Sequence, residues 1–244
     1  MRVGSQAVER LGQMIERSRD IVFFGGAGMS TASGIPDFRS AQGLYRRPGG
    51  QTCEEMLSIR FFLNQPDAFW NFYRQTIFHP KAKPNAGHAA LARLERQGRL
   101  KAVVTQNIDG LHQRAGSRRV IELHGSVWRN RCMACGRTFA PEQRPAGEGA
   151  PHCPCGGVLR PDIVLYGEPL DPAVLEEAIR AVGTSDLLIV GGTSLSVYPA
   201  AGLTRYRGQA RFVLINRDPT PFDDAADLIV RDELAQALDE AVPQ

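Results

Sequence analysis

Short apolar runs alternate along this chain with segments of helical spacing. The runs are four to five residues long and rich in Val, Ile and Leu, which favour buried strands. They cover residues 21–24, 102–105, 120–123, 186–190, 211–215 and 226–230. Between and around them, apolar positions recur at helical spacing in residues 5–18, 85–98 and 232–241. Strands that alternate with helices in this way predict an α/β fold built on a doubly wound parallel, Rossmann-like sheet.

Two segments depart from this alternation. Residues 54–78 are aromatic-rich with a helical pattern, and residues 126–163 carry four cysteines with many Gly and Pro and little periodicity. We therefore expect a single domain with a Rossmann-like part (1–40, 85–125 and 164–244), a helical and flap insert (41–84) and a small metal-bearing module (126–163). The insert includes a Gly/Arg/Pro-rich stretch, GLYRRPGG, that predicts a mobile loop able to close over a bound ligand.

Length and charge exclude several classes of protein. With 244 residues the chain is long enough to bury a full core, and its net charge of +3 is too small to indicate nucleic-acid binding by itself. No apolar run approaches the length of a membrane span, and the first twenty residues are amphipathic rather than a signal core. We expect a cytoplasmic protein with no membrane partner and no direct nucleic-acid partner.

A glycine-rich loop follows the first strand directly. Gly26 and Gly28 fit the first two positions of the dinucleotide fingerprint G-x-G-x-x-G, but Thr31 stands where the third glycine is expected. Closely spaced glycines after a strand let nucleotide phosphates approach backbone N–H groups. A tight turn without a ligand is the alternative interpretation of this loop taken alone.

Polar side chains follow several other predicted strands. Residues 106–109 (Gln-Asn-Ile-Asp) come after the second strand, and His124 comes after the third. Thr193 and Ser194 follow the fourth, and Asn216 follows the fifth. Since ligands of open parallel sheets bind at the carboxyl ends of the strands, these groups are candidates for one shared site.

Four of the five cysteines form two close pairs. Cys132-x-x-Cys135 is followed after seventeen residues by Cys153-x-Cys155. Two thiolate pairs at this separation predict one tetrahedral, structural zinc ion (Zn²⁺) on a ribbon-like module. His152 is an alternative ligand to one of the sulfurs. Cys53 lies outside the pattern and is expected to be an ordinary core or loop residue.

Three motifs in this chain resemble those of the sirtuin family, the NAD-dependent protein deacylases. They are GAGMSTASGIPDFR (residues 26–39), TQNIDGLH (105–112) and ELHGS (122–126). The resemblance runs from about residue 20 to 232. It implies a protein-lysine deacetylase that transfers the acyl group to ADP-ribose from NAD, with acetylated-lysine proteins or peptides as partners.

The resemblance also implies roles for single residues. His124 would be the catalytic base that takes a proton from a ribose hydroxyl, because histidine titrates near neutral pH. Asn107 would orient the ribose or a water molecule as a second catalytic residue. The implied NAD-binding residues are Gly26, Ala27, Gly28, Thr31, Phe38, Arg39, Gln106, Asn107, Ile108, Asp109, His124, Thr193, Ser194, Asn216 and Asp232.

The peptide substrate needs a docking edge. Two segments that flank the metal-bearing module, 164–168 and 194–199, are expected to be extended, so that a substrate strand gains main-chain hydrogen bonds between them. The expected substrate-binding residues are Val164, Tyr166, Gly167, Glu168 and Val197. Tyr166 stands where many sirtuins have Phe.

The acyl preference is predicted from the aromatic segment. Sirtuins that prefer succinyl or malonyl groups carry Tyr-x-x-Arg there, whereas here Tyr73 is followed by Thr76. A charged acyl group is costly in an apolar tunnel without a cation. We therefore expect neutral acyl groups, acetyl above all.

Other functions remain open from the sequence alone. An NAD-dependent oxidoreductase would use a similar sheet, and a mono-ADP-ribosyltransferase would use the same residues. A non-catalytic zinc-ribbon module for nucleic acid is a third possibility. The missing third glycine argues against the oxidoreductase, and the mild charge argues against the nucleic-acid module.

Overall fold

A six-stranded parallel sheet forms the centre of the protein in the computed structural model, which describes residues 6–37, 51–145 and 147–243. Its strand order is β3-β2-β1-β7-β8-β9, and all neighbouring strands are parallel. This confirms the predicted doubly wound sheet. The strands of the described residues are β1 (Ile21–Gly25), β2 (Leu100–Thr105), β3 (Val120–Glu122), β4 (Gly125–Cys132), β5 (Thr138–Phe139), β6 (Leu159–Ile163), β7 (Leu187–Gly191), β8 (Arg211–Ile215) and β9 (Leu228–Val230).

Helices cover both faces of this sheet, which explains why the strands are apolar throughout rather than alternating. All five residues of β1 are buried, and so are all five of β7. The α-helices are α1 (Gln6–Arg17), α2 (Cys53–Met56), α3 (Ile59–Asn64), α4 (Pro66–Phe72), α5 (Ala86–Arg96), α6 (Leu111–Ala115), α7 (Pro172–Gly183) and α8 (Leu234–Ala241). Side chains from α1, α5 and α8 pack on one face, and those of α7 and the 3₁₀ turn Ala200–Tyr206 pack on the other.

Two buried histidines lie between α5 and α6. The ring centroids of His88 and His112 are 4.7 Å apart, and both side chains are almost fully buried. Burial lowers the pKa of His88 to about 4 and that of His112 well below its ordinary value. Both imidazoles are therefore neutral at pH 7 and belong to the core.

The aromatic segment is not one helix. It forms three short helices, α2, α3 and α4, and ends in a π-helical turn, Tyr73–Ile77. The breaks have local causes, because the Ser58 hydroxyl accepts a hydrogen bond from Phe61 N at the start of α3 and Pro66 occupies the first turn of α4.

A small antiparallel sheet, β5-β4-β6, forms a second layer beside these short helices. Both pack into one apolar cluster, in which the Trp70 indole donates a hydrogen bond to Leu159 O over 2.9 Å. None of the helices in the described ranges is long and apolar enough to cross a membrane.

Candidate functional site

The carboxyl ends of the parallel strands lie at one edge of the sheet. Gly25 pairs with Thr105 on one side and with Gly191 on the other, and Gly191 pairs with Ile215. The chain order reverses between β1 and β7, which makes this the topological switch point where such folds bind ligands. A cavity of about 480 Å³ lies along this edge. That volume falls in the range of ordinary small-molecule sites.

The loops that leave β1 and β7 touch through their backbones. Gly28 N donates to Gly192 O over 2.8 Å, and a Cβ added to Gly28 would lie 2.6 Å from Gly192 Cα. Gly192 has a φ of +62°, which an L residue rarely adopts. Any side chain at either position would separate the loops. The glycines therefore allow the two loops to approach closely, and the cavity floor between them is formed by backbone atoms.

His124 follows β3 and lines the cavity. Its Nδ1 lies 2.9 Å from Gln106 O, and a carbonyl oxygen can only accept, so Nδ1 carries the proton and Nε2 bears the lone pair. Burial lowers the pKa of His124, and the hydrogen bond to Gln106 O opposes this only in part. The ring is therefore neutral at pH 7, with one nitrogen able to accept a proton.

A hydrogen-bonded chain connects the loop after β2 to the loop after β1. Asn107 Nδ2 donates to Ser30 Oγ over 3.1 Å, and Ser30 Oγ donates to Asp109 Oδ2 over 2.6 Å. Leu111 N donates to the other Asp109 oxygen over 2.8 Å. Burial raises the pKa of Asp109 despite these two donors. The carboxylate is thus held in one orientation at the cavity wall.

The segment 164–168 is held by an ion pair between the buried Arg160 and the half-buried Glu168 rather than by a strand ladder. Arg160 donates to both Glu168 oxygens at 2.7 Å, and Leu165 N donates to Glu168 Oε2 over 2.9 Å. Partial burial alone would raise the pKa of Glu168, but these hydrogen bonds outweigh it and lower that pKa. The Glu168 carboxylate is thus committed to the fold of this turn.

The two docking segments are not regular strands, so the expectation of extended edges is wrong in part. Tyr166 N donates to Leu57 O and Tyr166 O accepts from Ile59 N, so its main chain is already paired. Leu195 has a φ of +52°, and Ala201 N donates to Val197 O as the 3₁₀ turn begins. Local turn bonds therefore replace part of the predicted docking edge.

The four cysteines of the small sheet lie together. Their sulfur atoms are all within 4.8 Å of one another, with Cys132 and Cys155 at 3.5 Å and Cys135 and Cys153 at 3.7 Å. Tetrahedral Zn–S bonds of about 2.3 Å imply S···S separations of about 3.8 Å. A backbone hydrogen bond from Cys135 N lowers the pKa of Cys132 to about 6, which favours the thiolate. The cluster fits one structural zinc ion, and His152 lies outside it.

The model of the Sir2 family matches residues 26–199, which include the glycine loop, His124 and the cysteine cluster. The chain belongs to the Sir2 family. A Cutibacterium acnes protein named NAD-dependent protein deacetylase is 55% identical over 232 residues, covering 94% of this chain and 95% of that relative.

Solved Sir2 structures have the same fold. One that holds a p53 peptide and NAD+ has a TM-score of 0.85 at 39% identity and covers 95% of both chains. Another, with a deacetylated p53 peptide and 3′-O-acetyl ADP-ribose, has a TM-score of 0.89 at 38% identity and covers 96% of this chain and 97% of that one.

The Sir2 fold brings most predicted site residues to one cavity. Gly26 packs behind it against Thr193, and Phe38, Arg39 and the 43–50 loop lie outside the described residues. The predicted residues that line the cavity are Ala27, Gly28, Thr31, Gln106, Asn107, Ile108, Asp109, His124, Val164, Tyr166, Gly167, Glu168, Thr193, Ser194, Val197, Asn216 and Asp232.

Sequence reasoning missed several residues at this cavity. Ser30 links Asn107 to Asp109, and its place inside the GAGMS motif was a signal that could have found it. Gly192 was also missed, whereas Thr76 and Ile77, from the segment used to predict the acyl preference, line the cavity as well. Thr76 and Ile77 belong to the π-helical turn, which the helical pattern does not predict.

We expect zinc to be required for the fold of the small sheet. Purified protein should contain one zinc ion per chain, and Cys132→Ala should lose it and unfold at lower temperature, because metal binding supplies the folding energy of such modules. Metal analysis and thermal denaturation measure both effects. Cys53→Ala, which removes a buried thiol outside the cluster, is the control and should retain zinc. Equal stability of the metal-free protein would contradict this expectation.

Proposed function

We propose that this chain is an NAD-dependent protein-lysine deacetylase. The observation that carries the proposal is the position of His124, a neutral imidazole that lines the same cavity as the glycine loop of the switch point. The Sir2 structures with a p53 peptide and NAD+, and the deacetylases of 42–55% identity, support it. Five cysteines without a disulfide further support a reducing, cytoplasmic location.

NAD is the co-substrate, and its cleavage to nicotinamide supplies the ADP-ribose that accepts the acetyl group. We assign the pyrophosphate to the glycine loop at the switch point, where Ala27, Gly28 and Thr31 line the cavity. Asn216 and Asp232 line the cavity after β8 and β9, whereas Asn107 and His124 line it after β2 and β3. We assign the adenosine to the first end and the nicotinamide ribose to the second.

His124 is assigned as the general base. Its protonated Nδ1 is anchored to Gln106 O, so Nε2 is the atom that accepts a proton from a ribose hydroxyl. The acyl oxygen would take the place of nicotinamide on the ribose carbon, and the deprotonated hydroxyl would then attack the acyl carbon. One water molecule would complete the release of the lysine amine and of O-acetyl-ADP-ribose. The lowered pKa of His124 keeps Nε2 unprotonated at neutral pH, so the base is ready before substrate binds.

Asn107 and Asp109 are assigned to orientation at the nicotinamide end. The Ser30 hydroxyl fixes both side chains, since it accepts from Asn107 and donates to Asp109. Ile108 lines the cavity between them. The peptide is assigned to the opening between the 164–168 turn and Val197, where Gly167 offers main-chain contact beside the paired Tyr166.

His124→Ala tests the assignment. Loss of a general base should lower nicotinamide-coupled deacetylation by about 10²–10⁴-fold. The measurement is deacetylated peptide by mass spectrometry, with thermal denaturation and zinc content showing that the variant is folded. Turnover close to the wild-type rate would exclude His124 as the base.

The acyl preference follows from the side chains near the π-helical turn. Thr76 and Ile77 line the cavity together with the apolar Leu57 and Val127. Arg74 points away, because its guanidinium donates to Gly149 O over 2.7 Å and lies 5.3 Å from the Trp70 ring. Arg217, the arginine that lines the cavity among the described residues, follows β8 at the adenosine end.

We therefore expect acetyl-lysine to exceed succinyl-lysine in kcat/KM by at least about 100-fold, since a buried carboxylate without a cation is costly. The two acyl groups are compared on one peptide. Thr76→Arg is the matched variant and should raise succinyl turnover by placing a cation on this wall. Equal wild-type rates would contradict this expectation and would implicate another cation. The candidates are Arg46 and Arg47 of the 43–50 loop, which lies outside the described residues.

A further inference from the structure

Trp128 lies on β4 directly behind the cavity wall. Its indole Nε1 donates a hydrogen bond to Asp109 O over 2.7 Å. Val127, the residue before Trp128, also bonds the loop after β2, because Val127 N donates to Ile108 O over 2.9 Å. Ile108, Asp109 and Val127 line the cavity, whereas Trp128 does not. The tryptophan therefore acts on the wall from outside.

The loop and the indole ring fit closely. Gly110 has a φ of +71°, and a Cβ added to it would lie 2.7 Å from Trp128 Cδ1 and 2.8 Å from Nε1. The Asp109 carboxylate is held on its other side by Ser30 Oγ and Leu111 N. Asp109 is thus fixed at its carboxylate by Ser30 and Leu111 and at its backbone carbonyl by the Trp128 indole.

The indole ring itself is held by two neighbours. Its centroid lies 5.7 Å from that of Phe78, at an interplanar angle of 64°, and Arg114 lies over the ring at 5.7 Å. Arg114 also donates to Ala82 O over 2.7 Å. The ring therefore cannot turn without displacing residues from the helical insert and α6.

We infer that Trp128 is a positioning residue for the nicotinamide end of the site. Its indole N–H sets the backbone of Ile108 and Asp109 and thereby the affinity for NAD and for released nicotinamide. This inference rests on the proposed function, because it assigns nicotinamide to that wall. It adds a residue of the small sheet that contacts neither substrate directly.

The other tryptophan of the chain provides a matched control. Trp70 Nε1 also donates to a backbone carbonyl, Leu159 O, over 2.9 Å, and Trp70 does not line the cavity. Trp70→Phe and Trp128→Phe therefore remove the same kind of hydrogen bond and keep an aromatic ring. The two variants differ in which carbonyl loses its donor. Asp109 O, the partner of Trp128, belongs to the loop after β2 that we assign to nicotinamide, whereas Leu159 O does not.

The kinetic test compares these two variants with the wild type. Trp128→Phe should raise KM for NAD and the inhibitory concentration of nicotinamide by about 2- to 10-fold each, the factor that one neutral hydrogen bond supplies. Its KM for acetylated peptide should change less than about twofold, and Trp70→Phe should leave all three values near wild type. NAD and nicotinamide values that match the wild type, or an equal rise in both variants, would overturn the inference.

A second readout is independent of turnover. Trp70→Phe leaves Trp128 as the sole tryptophan, so its fluorescence should change when NAD saturates the site. Trp128→Phe contains Trp70 alone and gives the baseline for absorption by NAD. If Trp70→Phe does not fold, the difference in fluorescence between wild type and Trp128→Phe supplies the same signal. In the kinetic test, Tyr206→Phe, a change at an exposed site outside the cavity, then replaces Trp70→Phe as the control.

The two readouts also separate this inference from the proposed function. A wild-type protein without deacetylation would refute the function, while the fluorescence of Trp128 would still report whether NAD reaches this wall. No response of Trp128 to NAD would contradict the positioning role, even in an active enzyme.

Discussion

Backbone contact between the loops that leave β1 and β7 constrains the whole site. Gly28 and Gly192 approach so closely that a Cβ on either would overlap the other's backbone. No side-chain rotamer can relieve this clash, because the backbone fixes the position of Cβ. The contact closes the floor of the switch-point cavity and sets where the β1 loop passes the loop after β2. Ser30, which joins Asn107 to Asp109, is carried by that same β1 loop. The catalytic geometry thus depends on two positions where only glycine fits.

The small sheet and the short helices act as a support for this edge of the main sheet. They share one aromatic cluster, and β4 begins immediately after His124. Val127 and Trp128 bond the loop after β2 at Ile108 and Asp109, and they lie on the same strand whose last residue, Cys132, belongs to the cysteine cluster. None of the four cysteines lines the cavity, yet a zinc ion bound to them would support activity, because it stabilises the sheet that holds the cavity wall.

The sequence predicted what depends on local pattern. Apolar runs predicted the six parallel strands, and polar residues after those runs predicted the part of the cavity wall that lies at the strand ends, because parallel strands end at one edge. Helix α7 was not predicted, although Val174, Ala178 and Val182 recur at helical spacing and Asp171 caps its start before Pro172. The hydrogen bonds from Trp128 to Asp109 and from Tyr166 to Leu57 join residues distant in sequence, so the apolar periodicity of the chain does not predict them.

The fate of the acyl group tests the central claim most directly. The protein is incubated with NAD and a peptide that carries an isotopically labelled acetyl-lysine, and all products are identified by mass spectrometry. The account predicts unmodified lysine, one nicotinamide per acetyl group removed and the label on O-acetyl-ADP-ribose. ADP-ribose attached to protein while the acetyl group stays on lysine would instead show mono-ADP-ribosyl transfer. Reduced cofactor without nicotinamide would show an oxidoreductase, and either result would contradict the assignment.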